Sequence, residues 1–159
     1  MNAITDAAAA VESGSGFEFV PAELRMIREA ALRLGREVIA PTAAARDRDA
    51  AWPKAELASL AEGGFMGMLI PDEHGGTDAG LLGYCIALEA ISGADCGVGT
   101  IFHVHNMFYY TLSRHGSAEQ KRRFLPELAS GRRLSAFALT EPCAGSDLTA
   151  LRTEARLEG

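Results

Sequence analysis

Apolar positions recur every three to four residues from Pro21 onward. Leu24, Ile27, Ala31, Leu34, Val38 and Ile39 fall on one stripe of a helix, and Arg25, Arg28, Arg36 and Glu37 fall elsewhere. Pro21 suits a first helical turn, and Pro41 predicts the end of this helix or a kink in it. A shorter helix is expected from Pro53 to about Glu62, closed by Gly63-Gly64. Phe65 to Ile70 is a short apolar stretch, and the next six residues, Pro71 to Gly76, are dense in turn formers. The pattern then predicts a third helix over 79–92, with Gly93 and Asp95 ending it and starting the next. In that fourth helix, 97–113, one face carries Val98, Ile101, Phe102, His105, Phe108, Tyr109 and Leu112, and Val104 and Met107 add apolar groups elsewhere. A helix apolar nearly all round is expected at the centre of a bundle, as the most buried helix of the chain. Ser117 and Gln120 have capping-box spacing before a fifth helix, which Pro126 is expected to shorten.

After Gly131 the texture changes. Leu134 to Leu139 is compact and apolar without a polar helix face and reads as a strand, and Thr153 to Leu157 alternates as a second strand would. The expected fold class is therefore mainly α: a helical bundle followed by the first strand or strands of a β part.

Composition narrows the function classes. A chain of 159 residues fits one ordinary domain, with 48% hydrophobic and 23% charged residues, as in many globular proteins. The net charge of −6 is built from interleaved acids and bases, which excludes the basic stripe a nucleic-acid surface needs. No apolar run approaches the ~20 residues that span a bilayer. Three widely spaced cysteines, Cys85, Cys96 and Cys143, form no CxxC pair and suit a reducing cytoplasm better than a disulfide scaffold or zinc site. Residues 1–16 are small and polar, lack a signal-peptide pattern, and read as a disordered tail.

The chemistry concentrates in the run from Phe137 to Asp147, Phe-Ala-Leu-Thr-Glu-Pro-Cys-Ala-Gly-Ser-Asp. A strand delivering Thr140 would stop at Pro142, which cannot donate to a ladder. Ala144, Gly145 and Ser146 are small enough for their backbone N–H groups to approach a ligand, and Thr140 and Ser146 add hydroxyls. On these residues alone, a ligand loop and a plain strand ending in a Pro-Gly turn are equal readings.

The run resembles the acyl-CoA dehydrogenase signature A-L-T-E-P-x-A-G-S-D. Further segments are similar to the same family in the same order: Ala40-Pro41, Gly63-Gly64-Phe65, Pro71 to Gly76, His103-Val104-His105-Asn106, Gly116 to Lys121 and Leu125 to Gly131. The resemblance covers about residues 21–159. It implies residues 17–133 as the N-terminal helical domain and 134–159 as the start of a truncated middle β domain carrying the flavin-contacting loop. It also implies FAD as cofactor, with Phe137 and Leu139 packing on it, Thr140 bonding the isoalloxazine edge, and Gly145 and Ser146 reaching the pyrophosphate. Ser146 is further expected to meet the CoA side of the substrate, and His105 and Asn106 the acyl end. The implied reaction is α,β-dehydrogenation of an acyl-CoA thioester. Electron-transferring flavoprotein and further copies of the chain are the implied partners.

The family's catalytic glutamate and its tryptophan motif match nothing in these residues, so no catalytic base is assigned and the chain alone is expected to be inactive. Rival readings are a flavin oxidase or monooxygenase of the same fold, and a non-catalytic remnant acting as a helical interaction module. Glu141 beside Thr140 and Glu89 on the third helix read as structural or solvated carboxylates. His103 and His105, two apart on a helix, point to different faces and cannot share a metal; a hydrogen-bonded core role competes with the substrate role at His105. Cys143 reads as a bystander thiol, since no base stands beside it in sequence.

Overall fold

In the computed structural model, which describes residues 20–157, the first helix does not stop at Pro41. Helix α1 (Ala22–Leu34) passes through a π-helical stretch, Gly35–Ile39, directly into α2 (Ala40–Asp49). The Ala40 N–H bonds the Gly35 carbonyl, a π-type step that shifts the register. Pro41 thereby lands in the first turn of α2, where its missing N–H breaks no intrahelical bond. The expected tail, 1–16, lies outside the described residues.

Helix α3 (Lys54–Glu62) closes on Gly63, and Gly64 follows at φ 77°, a left-handed conformation glycine adopts without strain. Helices α4 (Gly80–Ala94) and α5 (Cys96–His115) form an antiparallel pair joined through Asp95. The Asp95 carboxylate accepts from the Gly97 and Val98 N–H groups at 2.7 and 3.1 Å, capping α5. The two helices touch closely at Gly99, where a Cβ would lie 2.2 Å from the Ser92 hydroxyl oxygen. Helix α6 (Ala118–Ala129) begins with the capping box that its sequence signals: the Ser117 hydroxyl accepts from Gln120 N–H and the Gln120 side chain from Ser117 N–H. Pro126 does not shorten it. The helix continues to Ala129, and the carbonyl that loses its donor belongs to the exposed Arg122.

Two clusters make the core. The larger joins Ala31 and Ile39 to Leu57 and Leu60, to Phe65, Met66 and Met68, and to Tyr84, Ala87, Ile91, Val98 and Phe102. The smaller packs Ile70 and Tyr109 on Leu125, Leu128 and Ala129. The connection between α3 and α4 is folded back on itself by three backbone bonds, from Thr77, Asp78 and Ala79 to Gly67, Ile70 and Met68. Gly76 is required there, since a Cβ would sit 1.9 Å from the Ile70 carbonyl oxygen.

Helix α5 differs from expectation. Its buried face holds Val98, Phe102, His105, Asn106 and Tyr109, but Met107 is 39% exposed, Phe108 37% and Tyr110 42%. It is therefore an amphipathic helix with a second apolar face at the surface, not one enclosed on all sides.

The two expected strands also differ. Among the described residues, 134–139 and 153–157 join no β-ladder, and the one β-type pairing is an isolated bridge between Glu141 and Ala144. A strand exists only through its partner's hydrogen bonds, and the helices offer none. The fold is mainly α, as expected. No helix among the described residues is long and apolar enough to cross a membrane.

Candidate functional site

The segment after α6 leaves the bundle but remains attached to α5 at two points. The Ser135 N–H donates to His105 Nδ1 at 3.2 Å, and the Ser135 hydroxyl donates to the His105 carbonyl at 3.0 Å. One turn further along α5, the Phe108 ring meets Phe137 edge-on, with centroids 6.2 Å apart and planes at 81°. These anchors aim the chain so that Phe137 and Leu139 lie at the surface, 44% and 46% exposed.

Beyond Thr140 the chain makes a tight turn. Glu141 N–H donates to the Ala144 carbonyl at 2.9 Å and Ala144 N–H returns to the Glu141 carbonyl at 3.1 Å. Pro142 occupies the position where its fixed φ suits such a turn, and Ala144 is buried at 3%. The Glu141 carboxylate accepts from Arg152 N–H at 2.8 Å, from Thr153 N–H at 2.9 Å and from the Thr153 hydroxyl. The Thr153 hydroxyl, then the two N–H groups, hold its pKa below the usual carboxylate range. Asp147 accepts from the Thr149 hydroxyl at 2.6 Å and N–H at 3.0 Å, and that pair lowers its pKa likewise.

Between these anchored residues stand the ones expected to meet a cofactor. Thr140, Gly145 and Ser146 are exposed. Among the described residues nothing lies within 4 Å of a Cβ built on Gly145, and no hydrogen bond engages the Thr140 or Ser146 hydroxyl. The structure therefore gathers Phe137, Leu139, Thr140, Gly145 and Ser146 in one exposed segment, with two apolar side chains, two uncommitted hydroxyls and an open glycine backbone.

His105 and Asn106 sit elsewhere, in the interior at 0% exposure. His105 Nε2 donates to the Leu128 carbonyl at 3.1 Å. Burial holds its pKa below the ordinary histidine value, outweighing the bonds to the Leu128 and Met66 carbonyls. Asn106 donates to the Phe102 carbonyl at 2.8 Å and accepts from the Tyr109 hydroxyl, which also takes the Leu69 N–H at 3.2 Å. Burial pushes the Tyr109 hydroxyl far up. His103 turns to a different partner, the Tyr84 hydroxyl, whose pKa burial, then the neighbouring Cys85, raise to about 12. Glu89 is exposed, and all three cysteines are free and exposed.

One polar centre has no sequence motif. Arg46 of α2, with 10% of its side chain exposed, pairs with Glu56 of α3 and with Asp95 at 2.6 Å, and also donates to the Ile39 carbonyl at 2.9 Å. Asp95 feels burial most, which raises its pKa, but Arg46 and the Val98 and Gly97 N–H groups together bring it below the ordinary value. This network ties α2 and α3 to the start of α5 and so supports the helix that anchors the loop. Its members are separated by 10 and 49 positions, a spacing no local pattern reveals.

Residues 21–132 match the sequence model of a family described as acyl-CoA dehydrogenase, N-terminal domain. An acyl-CoA dehydrogenase of Bacillus subtilis is 36% identical over 137 residues, which is 86% of this chain and 36% of that protein. The mitochondrial short-chain specific acyl-CoA dehydrogenase of Mus musculus is 36% identical over 88% of this chain and 34% of its own length. Among solved structures, butyryl-CoA dehydrogenase from Megasphaera elsdenii superposes with a TM-score of 0.78 at 28% identity, over 84% of this chain and 36% of that one. A chain in a structure of the electron transferring flavoprotein of Acidaminococcus fermentans gives a TM-score of 0.85 at 32% identity, over 89% and 38%. The chain thus spans about a third of the length of the proteins it matches.

Proposed function

The chain belongs to the acyl-CoA dehydrogenase family, and from that premise we propose that it contributes a helical domain and one wall of a flavin site to FAD-dependent α,β-dehydrogenation of an acyl-CoA thioester. The observation that carries the reading is the exposed segment 137–146. Its family-signature residues Thr140 and Ser146 keep their hydroxyls free, while Glu141, Ala144 and Asp147 between and beside them are committed to internal bonds or burial.

The residues fit a flavin. Phe137 and Leu139 offer apolar surface to a flat heteroaromatic ring. Thr140 supplies a donor for the ring edge, and Gly145, with open space at its Cβ position, lets backbone approach a pyrophosphate beside the Ser146 hydroxyl. When bound, the flavin supplies the hydride acceptor. The protein's share is orientation and the exclusion of water from one face. Ser146 further meets the CoA side of the substrate in this reading. His105 and Asn106 act at one remove, by fixing the inner face of α5, since all their polar atoms are taken within the chain. No base for α-proton removal is assigned to these residues.

The partners are acyl-CoA, an electron-transferring flavoprotein as electron acceptor, and further copies of the chain. Three free thiols suit a reducing compartment, and the reading places the protein in the cytoplasm.

The test is Thr140→Val in protein expressed from its full reading frame. Loss of one hydrogen bond of about 0.5–1.5 kcal/mol predicts a several-fold weaker hold on FAD with unchanged helicity. Equal flavin retention and an unshifted flavin absorption band in the variant would contradict the assignment.

A further inference from the structure

Glu141 stands beside the flavin-facing residues, yet the function proposed above gives it no task. Its side chain and backbone together make five hydrogen bonds, two through the backbone to Ala144 and three through the carboxylate to Arg152 and Thr153. Both carboxylate oxygens are used, Oε2 toward Arg152 and Oε1 toward Thr153. No other side-chain bond in the described residues joins 140–146 to 151–153. The segment between, 145–150, is held otherwise only by its own short 3-10 turn, Leu148–Ala150, where the Ala150 and Leu151 N–H groups bond the Asp147 and Leu148 carbonyls at 3.3 and 3.4 Å. Gly145 touches nothing at its Cβ position, Ser146 to Thr149 are exposed, and Asp147 bonds only within its own turn. A loop of this kind, without a closure contact, samples many conformations at an entropic cost to any ligand that must fix it.

We propose that Glu141 is a positioning residue, whose carboxylate clamps the backbone at Arg152 and Thr153 and thereby fixes the loop that presents Thr140, Gly145 and Ser146. The inference rests on the functional reading above. Its chemistry is that of a carboxylate receiving two convergent main-chain donors and a hydroxyl, each a charge-assisted bond. A glutamine cannot replace it: one amide oxygen remains an acceptor, but the NH₂ group then faces a main-chain N–H, donor against donor. Threonine 153 is the matching half, and serine preserves its hydroxyl where valine does not.

The experiment uses protein expressed from its full reading frame and compares the parent with E141Q, T153V, T153S, T140V and S146A. Two quantities are read: amide hydrogen exchange at Glu141, Ala144, Arg152 and Thr153, whose N–H groups are all bonded in the parent, and FAD affinity by equilibrium dialysis. E141Q is expected to speed exchange at all four amides and to weaken FAD roughly tenfold, the size of a single charge-assisted bond at the low end of its range. T153V should show the same pattern at smaller amplitude, and T153S should match the parent in both. If E141Q does not fold, the T153V and T153S pair reads the same contact. Unchanged exchange at Ala144, Arg152 and Thr153 in E141Q or T153V overturns the clamp. Faster exchange with parental FAD affinity overturns its link to the cofactor. Should T140V and S146A leave FAD affinity unchanged, the functional reading itself fails, whereas weak binding in those two beside parental binding in E141Q and T153V defeats this inference alone.

Discussion

The His105 ring meets its partners best as the Nε2–H tautomer, donating to the Leu128 carbonyl while a bare Nδ1 accepts from the Ser135 N–H and lies 3.2 Å from the Ser135 hydroxyl. A second proton would set Nδ1–H against Ser135 N–H and place a charge where no water reaches it. The folded pKa is accordingly depressed, while the unfolded chain titrates near 6.5. Below about that pH the unfolded state binds the proton that the folded state refuses. Stability is therefore full above the unfolded value and falls as pH drops through it toward the folded one. The lowered carboxylates Asp95, Glu141 and Asp147 follow the same direction in a more acidic window, below their unfolded values near 4. Urea midpoints of the parent and His105→Gln between pH 5.5 and 7.5 isolate the histidine. The parent is expected to lose more stability than the variant across that interval, and parallel curves would show that His105 is not the group responsible.

At the scale of elements, α5 shows what periodicity can and cannot tell. Its apolar residues cover most of its circumference, which reads as a buried central helix. The structure instead divides them: Phe102 at 0% exposure faces the core, and Phe108 at 37% faces outward beneath Phe137. Residue type alone cannot say whether an apolar face meets the core or a surface that binds something. The two substitutions should therefore differ. Phe102→Ala leaves a cavity and is expected to cost about 3–5 kcal/mol. Phe108→Ala removes a ring that is still more than half covered and that meets Phe137, and is expected to cost less, about 1–2 kcal/mol. Denaturant midpoints compare them directly, and equal costs would mean that Phe108 is as buried as Phe102. Where a local signal names its own partner, the sequence was legible, as in the Ser117–Gln120 capping box and the Gly63-Gly64 stop. Pro126 read as shortening its helix, and Pro41 read as ending its own, misled for one reason. A proline ends a helix only if the lost bond matters, and the π-helical stretch before Pro41 and the exposed position of Arg122, four residues before Pro126, both lower that cost. The Arg46 network was not legible at all, because its partners meet only after the helices pack. The segment proposed to face a flavin stood out through its family signature. Its expected strand character was not realised, because hydrogen-bond partners for a strand are a property of neighbours, not of the strand.

For the whole molecule, the remaining question is whether 159 residues proposed to supply one wall of a flavin site can themselves remove an α-proton. A general base needs a free lone pair within reach of the substrate and a pKa near the working pH. The carboxylates beside the residues proposed to face the flavin are Glu141 and Asp147. Glu141 accepts three bonds from Arg152 and Thr153 across its two oxygens, and Asp147 accepts two from Thr149 through Oδ1 alone, so each keeps a lone pair and basicity decides. Those bonds hold each pKa low, which makes each a poor proton acceptor at neutral pH. The two hydroxyls in the segment carry no adjacent base, and His105 is sealed in the core. Residues 1–159 alone are therefore expected not to oxidise an acyl-CoA. The measurement is anaerobic mixing of that polypeptide with FAD and with short, medium and long acyl-CoA thioesters, following the oxidised flavin band. A band that stays unbleached with every substrate is the expected result. Substrate-dependent bleaching without any added protein would mean that a base exists within these residues, and Glu141→Gln would then show at once whether the clamp had been mistaken for it.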